Sequence, residues 1–279
     1  MTGTPAAKVD ATALTGVSET ALLTLLVRAT EARRPDAIID DPMAIHVADG
    51  IEFDFAKFGR IRRQDMALRA LAFDGQTRRY LAEHPSATVV ALAEGLQTSF
   101  WRVDRADARH EFRWLSVDLP PVVDLRRKLL PHSDRITLCA QSALDYSWMD
   151  RVDDSGGVFI TAEGLLMYLQ PTDAMGLITA CANRFPGGRM MFDLPPRWFS
   201  ALTRCGVPTS RRYRIPPMPF SLSVAQAAYL ARIVPGVRSV HEIVLPQGRG
   251  RLLNTLTWAV QRVPVFDPVR PVWAMLEFG

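Results

Sequence analysis

Five short apolar runs in the middle of the chain constrain the fold more than any other feature of the sequence. Each run is rich in β-branched and other apolar residues, as is typical of strands that are covered on both faces. Helix-like segments separate the runs, and this alternation predicts right-handed βαβ units in a mostly parallel, doubly wound α/β sheet. The predicted strands are Thr88–Leu92, Trp114–Val117, Ile136–Cys139, Val158–Thr161 and Met190–Phe192.

A different pattern follows these runs in the C-terminal third of the chain. Two adjacent strands are predicted at Val237–Leu245 and Leu252–Arg262. The short link Pro246–Arg251 contains two glycines, which suits an antiparallel hairpin. Residues 195–222 are rich in proline, arginine and aromatic residues, and they predict an inserted cap or lid instead of a part of the sheet.

The N-terminal part of the chain shows helical rather than strand periodicity. The first sixteen residues predict a frayed arm. Amphipathic spacing predicts helices at Glu19–Glu31 and at about Arg62–Glu83. We therefore divide the chain into an N-terminal arm and helical cap over residues 1–84 and an α/β core over residues 85–279, with the cap or lid segment inserted in the core.

Composition and charge exclude several classes of protein. Three cysteines without C-x-x-C spacing argue against a disulfide framework or a zinc ribbon, and no His or Cys cluster has the spacing of a metal site. The formal net charge is +4, but the basic clusters are spread along the chain and broken by acids, so no nucleic-acid partner is predicted. The start of the chain has neither signal-peptide character nor an apolar stretch that can span a bilayer, so we expect a cytoplasmic protein without a membrane partner.

The turn after the first predicted strand points to a nucleoside-binding site. Gly95 lies in this turn, where a glycine lets the backbone approach a cofactor, and Asp118 ends the second strand, where an acid can accept both ribose hydroxyls. A dinucleotide fingerprint needs three spaced glycines, and only Gly95 is present, so an NAD-dependent oxidoreductase is not favoured. A nucleoside cofactor without a pyrophosphate points to S-adenosylmethionine.

Several segments carry a resemblance to a known family. They are residues 31–36 (EARRPD), 40–42 (DDP), 90–104 (VALAEGLQTSFWRVD), 117–120 (VDLP), 142–145 (SALD) and 162–169 (AEGLLMYL). With these segments in this order, the chain resembles the leucine carboxyl methyltransferase family of class I methyltransferases, which includes polyketide O-methyltransferases. The resemblance implies a Rossmann-like, seven-stranded, mostly parallel sheet with an antiparallel C-terminal hairpin and an N-terminal helical cap.

The resemblance also implies which residues bind S-adenosylmethionine. Arg69 matches an arginine that pairs with the cofactor carboxylate, a contact that suits the forked guanidinium group. Asp118 matches the acid that binds the ribose, and residues 143–145 match the stretch that flanks the adenine. The full set implied to bind the cofactor is Arg69, Ala93, Gly95, Asp118, Ala143, Leu144, Asp145 and Glu163.

Tyr168 and Glu163 are the residues that the resemblance places at the site of methyl transfer. An aromatic face near a sulfonium gains roughly 0.5–2 kcal/mol of cation–π energy. The implied reaction is O-methylation of a carboxylate or phenol on a small molecule, and the basic segment 205–222 is expected to close over an anionic acceptor. A carboxylate needs no general base, whereas a phenol benefits from one, and His46 and His241 are the histidines to test in that role.

Three positions of the cofactor turn depart from the family pattern G-x-G-L-D-T-R. Ala93, Gln97 and Ser99 replace the first glycine, the aspartate and the arginine. An alanine that must adopt a positive φ costs about 1 kcal/mol, and the other two replacements remove a charged pair. These departures motivate an alternative, in which the chain is a catalytically weak or inactive accessory or regulatory protein on a methyltransferase fold.

Overall fold

The structure, a computed structural model, describes residues 7–59, 64–250, 254–255, 259–260 and 263–279. The N-terminal elements are β1 (Val9–Asp10), α1 (Thr20–Ala32), α2 (Pro42–Gly50), β2 (Ile51–Glu52), a 3₁₀ turn (Phe55–Phe58) and α3 (Asp65–Glu83). The central elements are β3 (Thr88–Leu92), α4 (Ser99–Asp104), β4 (Arg113–Asp118), α5 (Pro120–Leu129), β5 (Ile136–Ala140), a 3₁₀ turn (Tyr146–Arg151), β6 (Val158–Ala162), a 3₁₀ turn (Leu166–Tyr168), α6 (Pro171–Arg184) and β7 (Arg189–Leu194). The C-terminal elements are α7 (Arg197–Arg204), β8 (Val207–Pro208), β9 (Arg214–Ile215), α8 (Val224–Ala228), α9 (Leu230–Ile233), β10 (Val237–Glu242), a 3₁₀ turn (Pro264–Phe266) and β11 (Val272–Phe278).

A seven-stranded sheet with the strand order β10-β11-β7-β6-β3-β4-β5 forms the centre of the fold. Strands β3 to β7 pair in parallel, and β11 is antiparallel to both of its neighbours. The predicted α/β class and all five predicted central strands are confirmed. The strand order reverses beside β3, which has β4 on one side and β6 on the other, and the carboxyl ends of strands at such a reversal are where doubly wound sheets bind ligands.

The seven-stranded sheet and the antiparallel C-terminal pairing that the resemblance implies are confirmed, but the second strand of the pair is not at Leu252–Arg262. Strand β10 ends at Glu242, and the strand that pairs with it is β11. Within the second predicted strand, residues 254–255 and 259–260 are helical, and its other residues lie outside the described part of the chain. The error has a physical cause: a short apolar run has no periodicity that separates a strand from a helix. Residues 243 to 271 separate β10 from β11, so these adjacent strands are not joined by a tight turn.

The expectation of a frayed N-terminal arm is also wrong for residues 9 to 14. Strand β1 pairs in parallel with β2, and Ala11 and Leu14 are buried. Both side chains belong to an apolar cluster with α1, α2 and one face of α5. This cluster also contains Leu96 and Tyr213, so the cap packs directly on the cofactor turn and on the inserted segment. The division of the chain at residue 84 remains a prediction.

Other helices lie near their predicted positions. Helix α1 spans Thr20–Ala32, and α3 occupies the predicted segment from residue 65 onward, while residues 60–63 lie outside the described ones. Helices α8 and α9 follow Ser223, which forms a capping box with Gln226. Within the described residues, no helix has the length and apolarity that a membrane span requires.

A buried ionic cluster fastens the cap to the sheet. Asp41, which caps α2 by accepting the Ala44 N–H, also accepts hydrogen bonds from Arg28 at 3.0 Å and from Arg102 at 2.6 Å. Arg102 reaches further to Asp74 on α3, at 2.6 and 3.1 Å. Burial alone would raise the pKa of Asp41, but Arg102 and Arg28 outweigh it and hold the pKa below its ordinary value. Helices α1, α2, α3 and α4 therefore meet at one buried cluster of two arginines and two aspartates.

We expect the substitution Asp41→Asn to lower the free energy of unfolding by about 3–5 kcal/mol, because it leaves two buried arginines without their shared carboxylate. Since the folded-state pKa of Asp41 is lowered, its contribution is fully present above the unfolded pKa near 4 and is lost as the pH falls below it. Urea unfolding at pH 7 and at acid pH measures both effects. Asp49→Asn is the matched control, because Asp49 pairs with Arg33 in solvent and should change stability by no more than about 0.5 kcal/mol. Equal effects of the two substitutions would contradict the assigned role of Asp41.

Candidate active site

One large cavity opens at the carboxyl ends of the central strands. Its volume is about 830 Å³, in the upper part of the roughly 300–1,000 Å³ range of small-molecule sites. The turns after β3, β4, β5, β6 and β7 form its floor, and helices α1 and α3 together with residues 195–218 form its walls. The sheet edge, the cap and the inserted segment thus enclose a single pocket.

Asp118 occupies the end of β4 with a defined orientation. Its carboxylate accepts the Gly95 N–H at 2.6 Å and the Leu119 N–H at 2.7 Å, one on each oxygen. Burial raises the pKa of Asp118, and the two backbone N–H groups partly oppose that rise. Each oxygen keeps lone-pair capacity toward the pocket, which is what the binding of vicinal hydroxyl groups requires.

The backbone of the turn after β3 has two residues in the left-handed region. Gly95 has φ +61°, and a Cβ at this position would lie 3.1 Å from the Ala21 Cβ on α1. Ala93 has φ +48° and carries its methyl group in this disfavoured conformation. The structure therefore meets the condition under which the sequence predicts strain at Ala93.

Arg69 and Glu163 form the polar wall beside this turn. Arg69 Nε donates to Glu163 at 2.9 Å, and Gln97 Nε2 donates to both oxygens of the same carboxylate at 2.8 Å. Arg69 also approaches Asp193 at 3.4 Å, and Asp193 accepts the Gly164 N–H at 2.7 Å. Burial lowers the pKa of Arg69, but Asp193 and Glu163 raise it by more than burial lowers it. The net pKa is therefore above the ordinary value, and the guanidinium stays charged.

Much of the remaining lining of the pocket is apolar and aromatic. Besides Met66, Met167 and Met218, its lining residues include Tyr168, Trp198, Phe199, Tyr213 and Trp273. Burial raises the pKa of Tyr168 to about 12, against the opposing effect of Arg69. Tyr168 is therefore a neutral phenol at physiological pH, which can donate a hydrogen bond or offer its ring face but cannot accept a proton.

Charged groups of one sign dominate the pocket wall. Among the described lining residues, Arg69 is the sole cation. Five carboxylates accompany it, on Asp65, Glu94, Asp118, Glu163 and Asp193. The Glu94 carboxylate forms a buried ion pair with Arg126 at 2.9 Å, but the remaining acids leave the pocket with an excess of negative charge. The pocket is suited to a ligand that carries positive charge near the strand ends.

Comparison with known proteins agrees with this geometry. A family model described as Leucine carboxyl methyltransferase matches residues 21–182. The chain belongs to the leucine carboxyl methyltransferase family. The tetracenomycin polyketide synthesis O-methyltransferase TcmP of Streptomyces glaucescens is 32% identical over 257 residues, which cover 82% of this chain and 94% of TcmP.

Two further comparisons extend the likeness. The S-adenosyl-L-methionine-dependent methyltransferase dpfgK of Gibberella zeae is 28% identical over 203 residues, or 65% of this chain and 67% of that protein. The plantazolicin methyltransferase BamL, solved with a triazolic desmethylPZN analog and SAH, has the same fold, with a TM-score of 0.51 and 10% identity over 94% of this chain and 97% of that one. The leucine carboxyl methyltransferase fold seen here is therefore shared well beyond detectable sequence similarity.

The structure brings most of the family-matched residues together. The pocket wall contains Arg69, Ala93, Gly95, Asp118, Ala143, Leu144, Glu163 and Tyr168. Asp145 does not line the pocket, although the sequence predicts that it binds the cofactor. Its exposed carboxylate instead accepts the Ser147 N–H at 3.2 Å and so starts the 3₁₀ turn at residue 146. An aspartate that accepts the backbone N–H two residues later is a local cap, and Asp145 followed by Ser147 is a sequence pattern that favours such a cap.

Two other groups of residues that the sequence analysis considered for the site do not line the pocket. His46 and His241 are both exposed, and neither lines the pocket, so no general base comes from them. The arginines of the inserted segment, Arg211, Arg212 and Arg214, are exposed outside the pocket, and Arg212 pairs with Asp54. The residues of this segment that do line the cavity are Thr209, Tyr213, Ile215 and Met218, and no arginine is among them.

Asp193 is a lining residue that the sequence analysis missed. It is the penultimate residue of β7, is 4% exposed and lies directly beside Arg69. Its signal in the sequence, an acid at the carboxyl end of a buried parallel strand, is the same as that of Asp118.

The two polar replacements in the family turn are satisfied by Arg102. Gln97 Oε1 accepts from Arg102 at 3.3 Å, and Ser99 Oγ accepts from the same guanidinium at 2.9 Å. The charge of Arg102 is balanced by Asp41 and Asp74 rather than by a residue of the turn. Gln97 and Ser99 therefore keep hydrogen-bond partners without the charged pair of the family pattern.

We expect Ala93→Gly to raise the free energy of unfolding by up to about 1 kcal/mol, because glycine adopts the positive φ of this position without the clash of a Cβ. Urea unfolding measures this change. Ala91→Gly is the matched control: it makes the same substitution two residues earlier, in the buried strand β3, and it should lower the stability by about 1 kcal/mol or more. A loss of stability in both variants would show that the turn at Ala93 is unstrained.

Proposed function

We propose that this chain is an O-methyltransferase that uses S-adenosylmethionine to methylate a phenol or carboxylate oxygen of a small aromatic molecule. The observation that carries this proposal is one continuous pocket, lined both by the strand-end turns at Asp118 and Gly95 and by aromatic side chains. We call the aromatic part, lined by Tyr168, Trp198, Phe199, Tyr213 and Trp273, the aromatic chamber. Dependence on S-adenosylmethionine is a property of the leucine carboxyl methyltransferase family, to which the chain belongs. The acceptor class goes beyond the family and rests on the lining of the chamber.

The residues of the strand-end turns fit this cofactor. Asp118 offers its carboxylate to the ribose hydroxyls, and Ala143 and Leu144 offer an apolar slot for the adenine. We assign Arg69, which lines the same pocket, to the carboxylate of the amino-acid end. The excess of acidic groups in the pocket favours binding of a cationic sulfonium. A Cβ at Gly164 would lie 3.2 Å from the Arg69 guanidinium, so glycine at this position leaves room for that side chain. When bound, the cofactor supplies a methyl group on a good leaving group.

The chain's own contribution to the reaction is to position the acceptor and to exclude water. Holding the acceptor oxygen in line with the methyl group turns a bimolecular reaction into one step within a complex, which can lower the barrier by about 7–11 kcal/mol. Tyr168, Phe199 and Tyr213 give a planar acceptor broad apolar contact. Because the arginines of the inserted segment lie outside the pocket, this chamber favours an aromatic body over a highly charged one.

TcmP supports the choice of oxygen as the atom that is methylated. Its name describes an O-methyltransferase of tetracenomycin polyketide synthesis, and this chain matches 94% of its length. The lining of Met and aromatic residues in the present chamber is consistent with an acceptor of that kind.

The alternative of an inactive accessory protein rests on Ala93, Gln97 and Ser99. The strain at Ala93 favours weaker cofactor binding. The hydrogen bonds of Gln97 and Ser99 to Arg102 argue against a collapsed turn. Cofactor affinity therefore separates the two functions.

Isothermal titration with S-adenosylhomocysteine, with NAD as a control, tests the proposal directly. We expect micromolar binding of S-adenosylhomocysteine and no binding of NAD. The substitution Asp118→Asn should weaken the binding at least tenfold, because it removes a buried acceptor of charge-assisted hydrogen bonds. Asp124→Asn, an exposed site on the following helix, is the control and should bind normally.

The affinity of the unmodified chain should also depend on pH through Asp118. Its pKa is raised, and only the ionised form accepts both ribose hydroxyls, so affinity should fall on acidification, beginning above the ordinary range of an aspartate. Asp118→Asn should remove this dependence. If the folded protein does not bind S-adenosylhomocysteine at all, the enzyme proposal fails and the accessory function replaces it.

A further inference from the structure

Gln97 holds the carboxylate of Glu163 with a side-chain amide whose direction is fixed on both sides. Its Nε2 lies 2.8 Å from each Glu163 oxygen and donates to both of them. Its Oε1 accepts the Thr98 N–H at 3.2 Å and Arg102 Nη2 at 3.3 Å. A reversed amide would set oxygen against oxygen at Glu163 and donor against donor at Arg102. Only one orientation of Gln97 therefore satisfies these contacts, and the residue is 8% exposed.

Arg69 contacts the same carboxylate through a single nitrogen. Arg69 Nε donates to Glu163 Oε1 at 2.9 Å, and Nη1 approaches Asp193 at 3.4 Å. An arginine and a carboxylate that are free to choose their geometry often form two parallel N–H···O bonds. Here the Gln97 amide occupies both carboxylate oxygens, and neither of the two contacts of Arg69 uses Nη2. The guanidinium and the carboxylate therefore lie side by side without forming a two-bond pair.

This arrangement suits a ligand that carries two opposite charges on one carbon atom. An α-amino acid group has an ammonium and a carboxylate in that relation. Arg69 and Glu163 both line the pocket, next to Ala93 and Gly95 of the cofactor turn. Their side chains are only 15% and 11% exposed, and interactions between charges are stronger at such sites than in water.

We propose that Gln97 is a positioning residue for the amino-acid end of the cofactor. It keeps the Glu163 carboxylate turned toward the ligand's ammonium group, and it prevents Arg69 from neutralising that carboxylate in a two-bond pair. This inference rests on the proposed function and deepens it, because it gives a task to one of the three departures from the family pattern. Gln97 acts through Glu163 and Arg69 and not on the reacting atoms.

The charges around residue 97 explain why an amide suits this position better than the aspartate of the family pattern. A carboxylate at residue 97 would face Glu163, and two like charges at hydrogen-bond distance repel. The arginine that accompanies the aspartate in the pattern is Ser99 in this chain. Arg102 is already balanced by two other carboxylates. An amide donates to Glu163 and accepts from Arg102 without adding a charge.

Two ligands that differ only at the amino-acid end test this role by isothermal titration. S-adenosylhomocysteine has the amino-acid group, whereas 5′-deoxy-5′-methylthioadenosine has the same adenosine and a thioether without it. For Gln97→Ala we expect the affinity for S-adenosylhomocysteine to fall at least about tenfold and that for methylthioadenosine to stay within about twofold of the unmodified value. Gln97→Met, which nearly conserves the volume and removes the donors, should show the same difference and keeps the space filled.

Gln170→Ala is the matched control for the loss of a glutamine side chain. Gln170 is exposed at the start of α6, and its side chain forms no cap hydrogen bond. This variant should bind both ligands as the unmodified protein does.

The substitution Gln97→Asp separates a working residue from a defect in the turn. It introduces the residue of the family pattern, and we expect it to weaken the binding of S-adenosylhomocysteine at least about tenfold, because the new carboxylate faces Glu163 without an arginine at residue 99. Tighter binding by Gln97→Asp overturns the proposal, since it makes Gln97 a defect of the cofactor site.

The other outcomes also decide the role of Gln97. Unchanged affinity for S-adenosylhomocysteine in Gln97→Ala and Gln97→Met overturns it. An equal loss for both ligands overturns it as well, because Gln97 then supports the turn as a whole and not the amino-acid end. In each of these cases the unmodified protein still binds S-adenosylhomocysteine, and the proposed function stands. Failure of the unmodified protein to bind S-adenosylhomocysteine removes the proposed function itself.

Discussion

The buried carboxylate of Asp41 is the contact on which the arrangement of this molecule depends. It joins Arg28 of the cap to Arg102 behind the cofactor turn, and Arg102 in turn holds Asp74, Gln97 and Ser99. Two charges buried without partners would cost several kcal/mol each, so the cap, the turn and α3 cannot separate without exposing the cluster to water. The cap thereby forms one wall of the pocket at a fixed distance from the strand ends.

Because the cap is fixed against the strand ends, one cavity can have a polar lining in one part and an aromatic lining in another. The strand ends present backbone N–H groups and acids, which suit a polar, partly cationic ligand, while the inserted segment presents aromatic rings. Arg69 and Asp193 lie where the two surfaces meet. Polar groups at this junction are strengthened by the low dielectric of an enclosed site, which is the setting in which an oriented charged group is most effective.

Much of the fold could be predicted because the buried parallel strands have no polar face. Runs such as Thr88–Leu92 and Val158–Thr161 must be apolar throughout, and this is visible in one dimension. The antiparallel strand β11 escaped prediction because its partners, β10 and β7, are distant in sequence and the intervening segment also contains apolar runs. Among the residues that line the pocket, Gly95 and Asp118 were predictable from their spacing, but Asp193 was not predicted. Asp145 was predicted to line the pocket, but it caps the 3₁₀ turn that follows it.

The sequence by itself determined the α/β class, the family, the cofactor turn and the strain that Ala93 carries at a position with positive φ. These are local properties, set by the order of apolar runs and by the residue type at single backbone positions. Only the tertiary structure decided that Gln97 and Ser99 share Arg102, that the arginines of the inserted segment lie outside the pocket, and that Asp193 lies between Arg69 and the Gly164 N–H. Such properties depend on the direction of side chains from distant elements toward one point, and hydrogen-bond satisfaction at that point is decided in three dimensions.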